Sequence, residues 1–219
     1  MVLWLVLAGS SWATEVPGED PLPAGVAAVL TDAASAGLPT DPLRAKALEG
    51  LAKHVPEARL VDALTTMRQA LAQADTLVAP DTAGADRAEV VWAASLALRA
   101  GCSEGAVSSV ARQGGRWGAA ALTALSDLHA AGFPEAGAVS FVLAAAGGPQ
   151  PERAFSGAVT TAVILAQRGV PATEALRMLT IGAAAGQSPS AATTTSRGQG
   201  GPPEHARNDE DNPGKGHNK

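Results

Sequence analysis

The sequence predicts an all-α fold, an array or bundle of helical hairpins, and three observations carry that prediction. A short phrase (glycine, an apolar residue, then proline or serine) returns at Gly37-Leu38-Pro39, Gly101-Cys102-Ser103, Gly132-Phe133-Pro134 and Gly169-Val170-Pro171. The stretches between the copies carry apolar residues at helical steps, and none alternates with period two for long enough to require a sheet. The same step separates Pro39 from Pro56 and Pro134 from Pro151, which suggests a duplicated helical unit. Glycine just past a helix end takes the left-handed conformation at little cost, and proline is tolerated in the first turn of the next helix. The phrase is therefore a helix-to-helix joint.

Residues 1–13 read MVLWLVLAGSSWA, an apolar run that ends on small residues at the positions a signal peptidase inspects. No Lys or Arg precedes the run. It is expected to be a cleaved signal peptide, placing the protein in the periplasm or outside the cell. A spanning helix needs about 20 apolar residues, so no membrane span is expected in the mature chain. Residues 14–24 are Pro-rich and acidic and read as a linker; the helical domain is expected over 25–186.

Within that domain, Leu43, Ala47 and Leu51 share one helix side, with Glu49 and Lys53 paired on another. After Pro56, Leu60, Leu64, Met67, Leu71, Ala74 and Val78 recur at steps of four and three, one apolar stripe on a long amphipathic helix. Glu57, Arg59, Asp62, Arg68, Gln69 and Asp75 fall off that stripe and are expected to face water. A loop over 79–85 leads to a broadly buried helix marked by Val91, Trp92, Ser95, Leu96 and Leu98. Further helices are predicted over 103–113, 117–130, 135–146, 152–168 and 173–184. In the fourth of these, Phe155, Val159, Ala162 and Ala166 form the expected inward row. From Gln187 the composition turns to Ser, Thr, Gly, Pro and Asn. Residues 187–219 have almost no apolar side chains to offset ordering entropy and are expected to be a disordered tail.

Apolar residues make up 46% of the 219, but aromatics only 3%, with no tyrosine. The core is therefore expected to rest on close backbone approach rather than bulky side chains. A net charge of −5 leaves no electrostatic footprint for nucleic acid, and few aromatics remain to stack on bases. A nucleic-acid partner is not expected. One cysteine excludes an intramolecular disulfide and does not decide the compartment.

Cys102 occupies the joint slot that holds Leu38, Phe133 and Val170 elsewhere, so it reads as a small buried hydrophobe rather than a nucleophile. His54 stands where glycine stands in the other joints and is expected to end its helix. His129 lies in a last helical turn, where positive charge suits the helix dipole. Ser126, Asp127 and His129 do not make a triad, because Asp127 points away from the face the other two share, and no G-x-S-x-G elbow is present. Gly114-Gly115-Arg116-Trp117-Gly118 lacks the Lys-Ser/Thr of a phosphate loop and reads as a tight interhelical turn. Arg116 and Trp117 are the residues expected to contact a ligand, if the domain takes one. Asp209, Asp211 and Gly214 match three positions of a calcium loop, but Pro213 interrupts it and the closing glutamate is missing. With His205 and His217, they belong to a solvated tail.

The stretch from Gly37-Leu38-Pro39 through His54-Val55-Pro56 to Leu64 resembles segments of Ala-rich bacterial proteins read as exported and of unassigned function. The resemblance implies no activity and carries no functional residue over. The expected function is a non-catalytic, exported helical-repeat module that binds or scaffolds a protein partner in the cell envelope, with no cofactor and no metal. Two alternatives stand beside it. One is an enzyme whose site assembles from distant groups such as Glu49, Asp62, Arg116 and His129. The other is a carrier holding a small apolar molecule in its Ala-lined core.

Overall fold

The computed structural model of the chain describes residues 22–80, 82 and 86–191. The expected signal peptide, most of the linker and the tail from residue 192 lie outside the described residues. Ten α-helices follow one another among those described: α1 (Ala24–Ser35), α2 (Asp41–Ala52), α3 (Glu57–Leu77), α4 (Arg87–Arg99), α5 (Glu104–Gln113), α6 (Gly118–Ala130), α7 (Glu135–Gly147), α8 (Pro151–Phe155), α9 (Ala158–Gln167) and α10 (Ala172–Ala184). A single 3₁₀ turn, Gly115–Trp117, separates α5 from α6. The described residues contain no strand. The fold is all-helical.

Each joint closes its helix in the same way. At the first, the Gly37 N–H donates to Ala34 O and the Leu38 N–H to Ala33 O. This paired closure, with a left-handed residue followed by an apolar one, is the Schellman ending. It recurs at Gly101-Cys102, Gly132-Phe133 and Gly169-Val170. His54 makes it too, at φ 53°, the one left-handed residue among those described that is not glycine. Pro134 and Pro171 occupy the N-cap, one place earlier than the first helical turn.

A further regularity joins the hairpins. The residue after the joint's Pro or Ser is a glutamate at Glu57, Glu104 and Glu135, and each reaches back to an earlier helix. Glu57 accepts from the Gly25 N–H at 3.1 Å, 32 positions before it. Glu104 accepts from Gln73 Nε2 at 2.7 Å, 31 positions before it. Glu135 accepts from both the Ser103 N–H and Oγ, 32 positions before it. The three ties share a sequence span of 31 or 32 positions, although their donors differ: a backbone N–H at the start of α1, a side-chain amide late in α3 and the N-cap serine of α5.

The chain divides into two compact units, one ending at Gln69 and one beginning at Ala70, with the boundary inside α3. In the first, Val26, Ala33, Leu43, Ala47, Leu60 and Leu64 are buried. A small residue helps α2 settle on α3: a Cβ on Gly50 would lie 2.6 Å from Leu60 Cδ1, so the Leu60 side chain would have to move to admit one. Glu49 ion-pairs with both Lys46 and Lys53 on the exposed side of α2. Those two ammonium groups hold its carboxyl down at about 2.

In the second unit, α6 packs against α4, α5, α7 and α9, and α7 packs extensively against α10. Bulky residues matter more here than composition alone predicts: Phe141, Leu122, Leu125, Leu128, Leu165 and Leu176 are fully buried. The expected stripe of α3 is buried throughout, from Leu60 to Val78. Asp75, expected to face water, is half-buried instead. Its carboxylate accepts from Arg87 Nη1 at 2.6 Å, while Arg87 Nη2 donates to the carbonyls of Asp75 and Val78. A cation satisfying the last carbonyls of a helix is favoured both as hydrogen-bond donor and by the helix dipole.

Three further sequence expectations are corrected. The helix predicted over 152–168 is broken into α8 and α9, because Gly157 adopts φ 74° and starts a new helix. The break rotates the buried set to Ala154, Ala158, Thr161, Ala162 and Leu165, leaving Phe155 and Val159 half-buried and Ala166 exposed. The duplication suggested by the proline steps finds no more than one pair of helices of similar length, α2 and α7 of 12 and 13 residues. After Pro56 the helix runs 21 residues, whereas α8 stops after five. Finally, α10 ends at Ala184, but residues 189–191 are helical again, beyond the expected end of the body at Gly186.

Candidate functional site

Three helix ends converge in the second unit and bring together Cys102, His129 and Glu135. Cys102 sits in the joint between α4 and α5, with its N–H donating to Ala97 O. His129 lies in the last turn of α6, and Glu135 is the first residue of α7. One ligand-capable atom from each of the three lies within 4.8 Å of the other two. Gly101 makes the close packing attainable: its φ is 97°, and a Cβ there would stand 3.3 Å from His129 Nε2.

The electrostatics follow from these neighbours. Cys102 is 5% exposed, and burial, reinforced by the Glu135 charge, pushes its thiol up to about 11. Glu135 moves the other way. The backbone N–H and hydroxyl of Ser103 hold its carboxyl below the ordinary glutamate range, with His129 adding a smaller contribution. Ser103 Oγ also accepts from the Ala106 N–H at 3.2 Å, so the pair together cap α5. His129 is half-buried, yet its Nδ1 is buried and has no hydrogen-bond partner among the described residues. A buried polar atom left unpaired costs about 1–3 kcal/mol, and native structures keep few of them.

The burial expected for Cys102 from the joint slot is observed, as it is for Leu38 at 7% and Phe133 at 5% exposure. Val170 is only half-buried. What the sequence reading missed is the company Cys102 keeps. His129 stands where the helix dipole argument placed it, but it also meets the thiol and Glu135. The missed signal was the glutamate directly after Pro134, which recurs after Pro56 and Ser103.

Arg116 and Trp117 lie on the 3₁₀ turn, where the Arg116 guanidinium stacks on the Trp117 ring 5.2 Å from its centroid. The turn is as tight as expected: a Cβ on Gly114 would come within 2.8 Å of Gly118 Cα. The distant groups of the enzyme alternative do not share one cleft in the second unit. Arg116 and His129 flank opposite ends of α6, roughly 20 Å apart at 1.5 Å per residue. In the first unit, Glu49 is engaged by its own helix's lysines and Asp62 is exposed.

An apolar trough runs between α7 and α10. One depression, of about 170 Å³, is lined by Phe141, Ala154, Met178, Leu179, Ile181 and Pro189 among others. A shallower one, of about 260 Å³, continues past Gly137, Leu176 and Thr180 and shares Ile181 with the first. Ile181 is 56% exposed, well above Leu48 at 42%, the other exposed large hydrophobic side chain among the described residues. No helix among the described residues is long and apolar enough to cross a membrane. Compared with protein families, with curated proteins and with solved structures, the chain shows no match.

Proposed function

We propose that the chain is a non-catalytic, exported helical-repeat module that binds a protein partner in the cell envelope through the α7–α10 trough. The observation that carries this reading is Ile181, exposed at the point where two apolar depressions meet. Repeated hairpins bury their own core and leave extended faces for partners. The size of the depression argues for a side chain rather than a free ligand. Sites for drug-sized molecules run from about 300 Å³ upward, and an apolar cavity near 150 Å³ takes a molecule as small as benzene. A depression of about 170 Å³ suits one large apolar anchor. The expected occupant is therefore an amphipathic helix of the partner, seated by a single such residue.

A photo-crosslinking residue at 181, introduced in the native host, tests the reading. The expected result is capture of one envelope protein that survives Thr123→Asp, on exposed α6 surface, and disappears when Met178→Asp accompanies the crosslinker. Capture unaffected by Met178→Asp, or no capture at all, would overturn it. Export is tested separately by sequencing the N-terminus of the protein from its host. The expected start is Thr14, and a chain that still begins at Met1 contradicts a cleaved signal.

A further inference from the structure

We infer that Cys102, His129 and Glu135 form a binding site for a single zinc ion, held where the α4–α5 joint meets the ends of α6 and α7. The donor set is the first reason. A thiolate, an imidazole nitrogen and a carboxylate oxygen together suit Zn²⁺, whereas Mg²⁺ and Ca²⁺ call for oxygen ligands alone. The geometry is the second. Bonds of 2.0–2.3 Å in a tetrahedral site set ligand atoms about 3.3–3.6 Å apart. The three atoms already lie within 4.8 Å of one another, so side-chain adjustments of about an ångström complete the set.

The surroundings supply a third and independent reason. Metal-bound carboxylates are oriented by hydrogen bonds from outside the first ring of ligands. Glu135 is oriented in that way, with one oxygen on the Ser103 N–H and the other on Ser103 Oγ, both at 2.7 Å. Each carboxylate oxygen keeps a further lone pair for a cation. The imidazole carries a buried nitrogen, Nδ1, without a partner among the described residues. Among the joints, this is the one whose apolar slot is filled by a residue that can ligate a metal. His129 and Glu135 are both half-buried, leaving the fourth position of a tetrahedral ion to water.

Because the chain has one cysteine, the site can be read spectroscopically without ambiguity. Full-length protein, stripped of metal and kept reduced, is titrated with Co²⁺ as the optical stand-in for Zn²⁺. The expected result is a sulfur-to-cobalt charge-transfer band saturating at one Co²⁺ per chain and abolished by Zn²⁺. Cys102→Val should remove the band, and His129→Gln and Glu135→Gln should each weaken binding at least tenfold. The double variant His205→Gln/His217→Gln, which removes the histidines of residues 192–219, should leave the band unchanged. Zn²⁺ should also raise the melting temperature of the wild type and not of Cys102→Val, because a ligand that binds only the folded state stabilises it by mass action. Should Cys102→Val fail to fold, Cys102→Ser and His129→Gln carry the same reading. No charge-transfer band, a band at one Co²⁺ per two chains, or a band insensitive to His129→Gln overturns the site and leaves the cluster a helix-end cap.

Discussion

Cys102 shows how much one side chain inherits from its position. It fills the slot held by Leu38 and Phe133 at other joints, and burial and the Glu135 charge keep it a thiol. A thiol near 11 is about a hundredfold poorer in thiolate at pH 8 than one at its ordinary value of 9. Metal-free native protein should therefore react with a soluble thiol probe about a hundred times more slowly than the denatured chain. Below the folded value, the native rate should climb as pH rises, because deprotonation supplies the nucleophile. Cys102→Val should cost under about 1.5 kcal/mol, as volume-conserving apolar swaps do. Cys102→Asp should cost about 3 kcal/mol or more, since it leaves a carboxylate buried beside Glu135. Native labelling as fast as that of a free thiol would contradict the slot.

The element that recurs is the joint, and its parts are separable by mutation. Gly132 and Gly169 hold φ of 83° and 85°, where a β-branched residue is strained. Gly132→Val and Gly169→Val should each destabilise by about 1–2 kcal/mol in denaturant unfolding. No Cβ clash confounds the comparison, because open space surrounds both glycines. His54 already bears the left-handed strain, at φ 53°. His54→Gly should raise stability by about 0.5–1 kcal/mol, the strain relieved exceeding the added entropy of the unfolded chain. A loss of stability in that variant would mean the imidazole makes a contact worth more than the strain. The glutamate at the head of α3, α5 and α7 adds the tie between hairpins.

At the scale of the whole molecule, each compact unit has its own buried centre. Leu64 in the first and Phe141 in the second are both fully buried. Leu64→Ala should cost about 2–5 kcal/mol and Phe141→Ala about 3–5 kcal/mol. Arg59→Ala, on exposed α3 surface, should stay within about 0.5 kcal/mol of wild type. Differential scanning calorimetry or denaturant unfolding distinguishes the three. Equal effects at Arg59 and Leu64 would mean that the α3 stripe does not carry that core.

Local chemistry was legible in the chain. The helix class, the joints, the α3 stripe, the burial of Cys102 and the left-handed role of His54 follow from periodicity and from backbone preferences acting over a few residues. Tertiary structure decided the rest, because the remaining facts concern residues distant in sequence or rival local choices. Gly157 could sit inside a helix or break it, and the folded chain takes the break, with Ala154 buried on one side of it and Leu165 on the other. Asp75 looked solvated until Arg87 came to it across the loop. The meeting of Cys102, His129 and Glu135 depends on where three helix ends lie in space, and no short-range rule contains that distance. The glutamate after three of the joints, Glu57, Glu104 and Glu135, was visible as a letter in the sequence. Its partner, 31 or 32 positions earlier, became visible only when the hairpins were stacked.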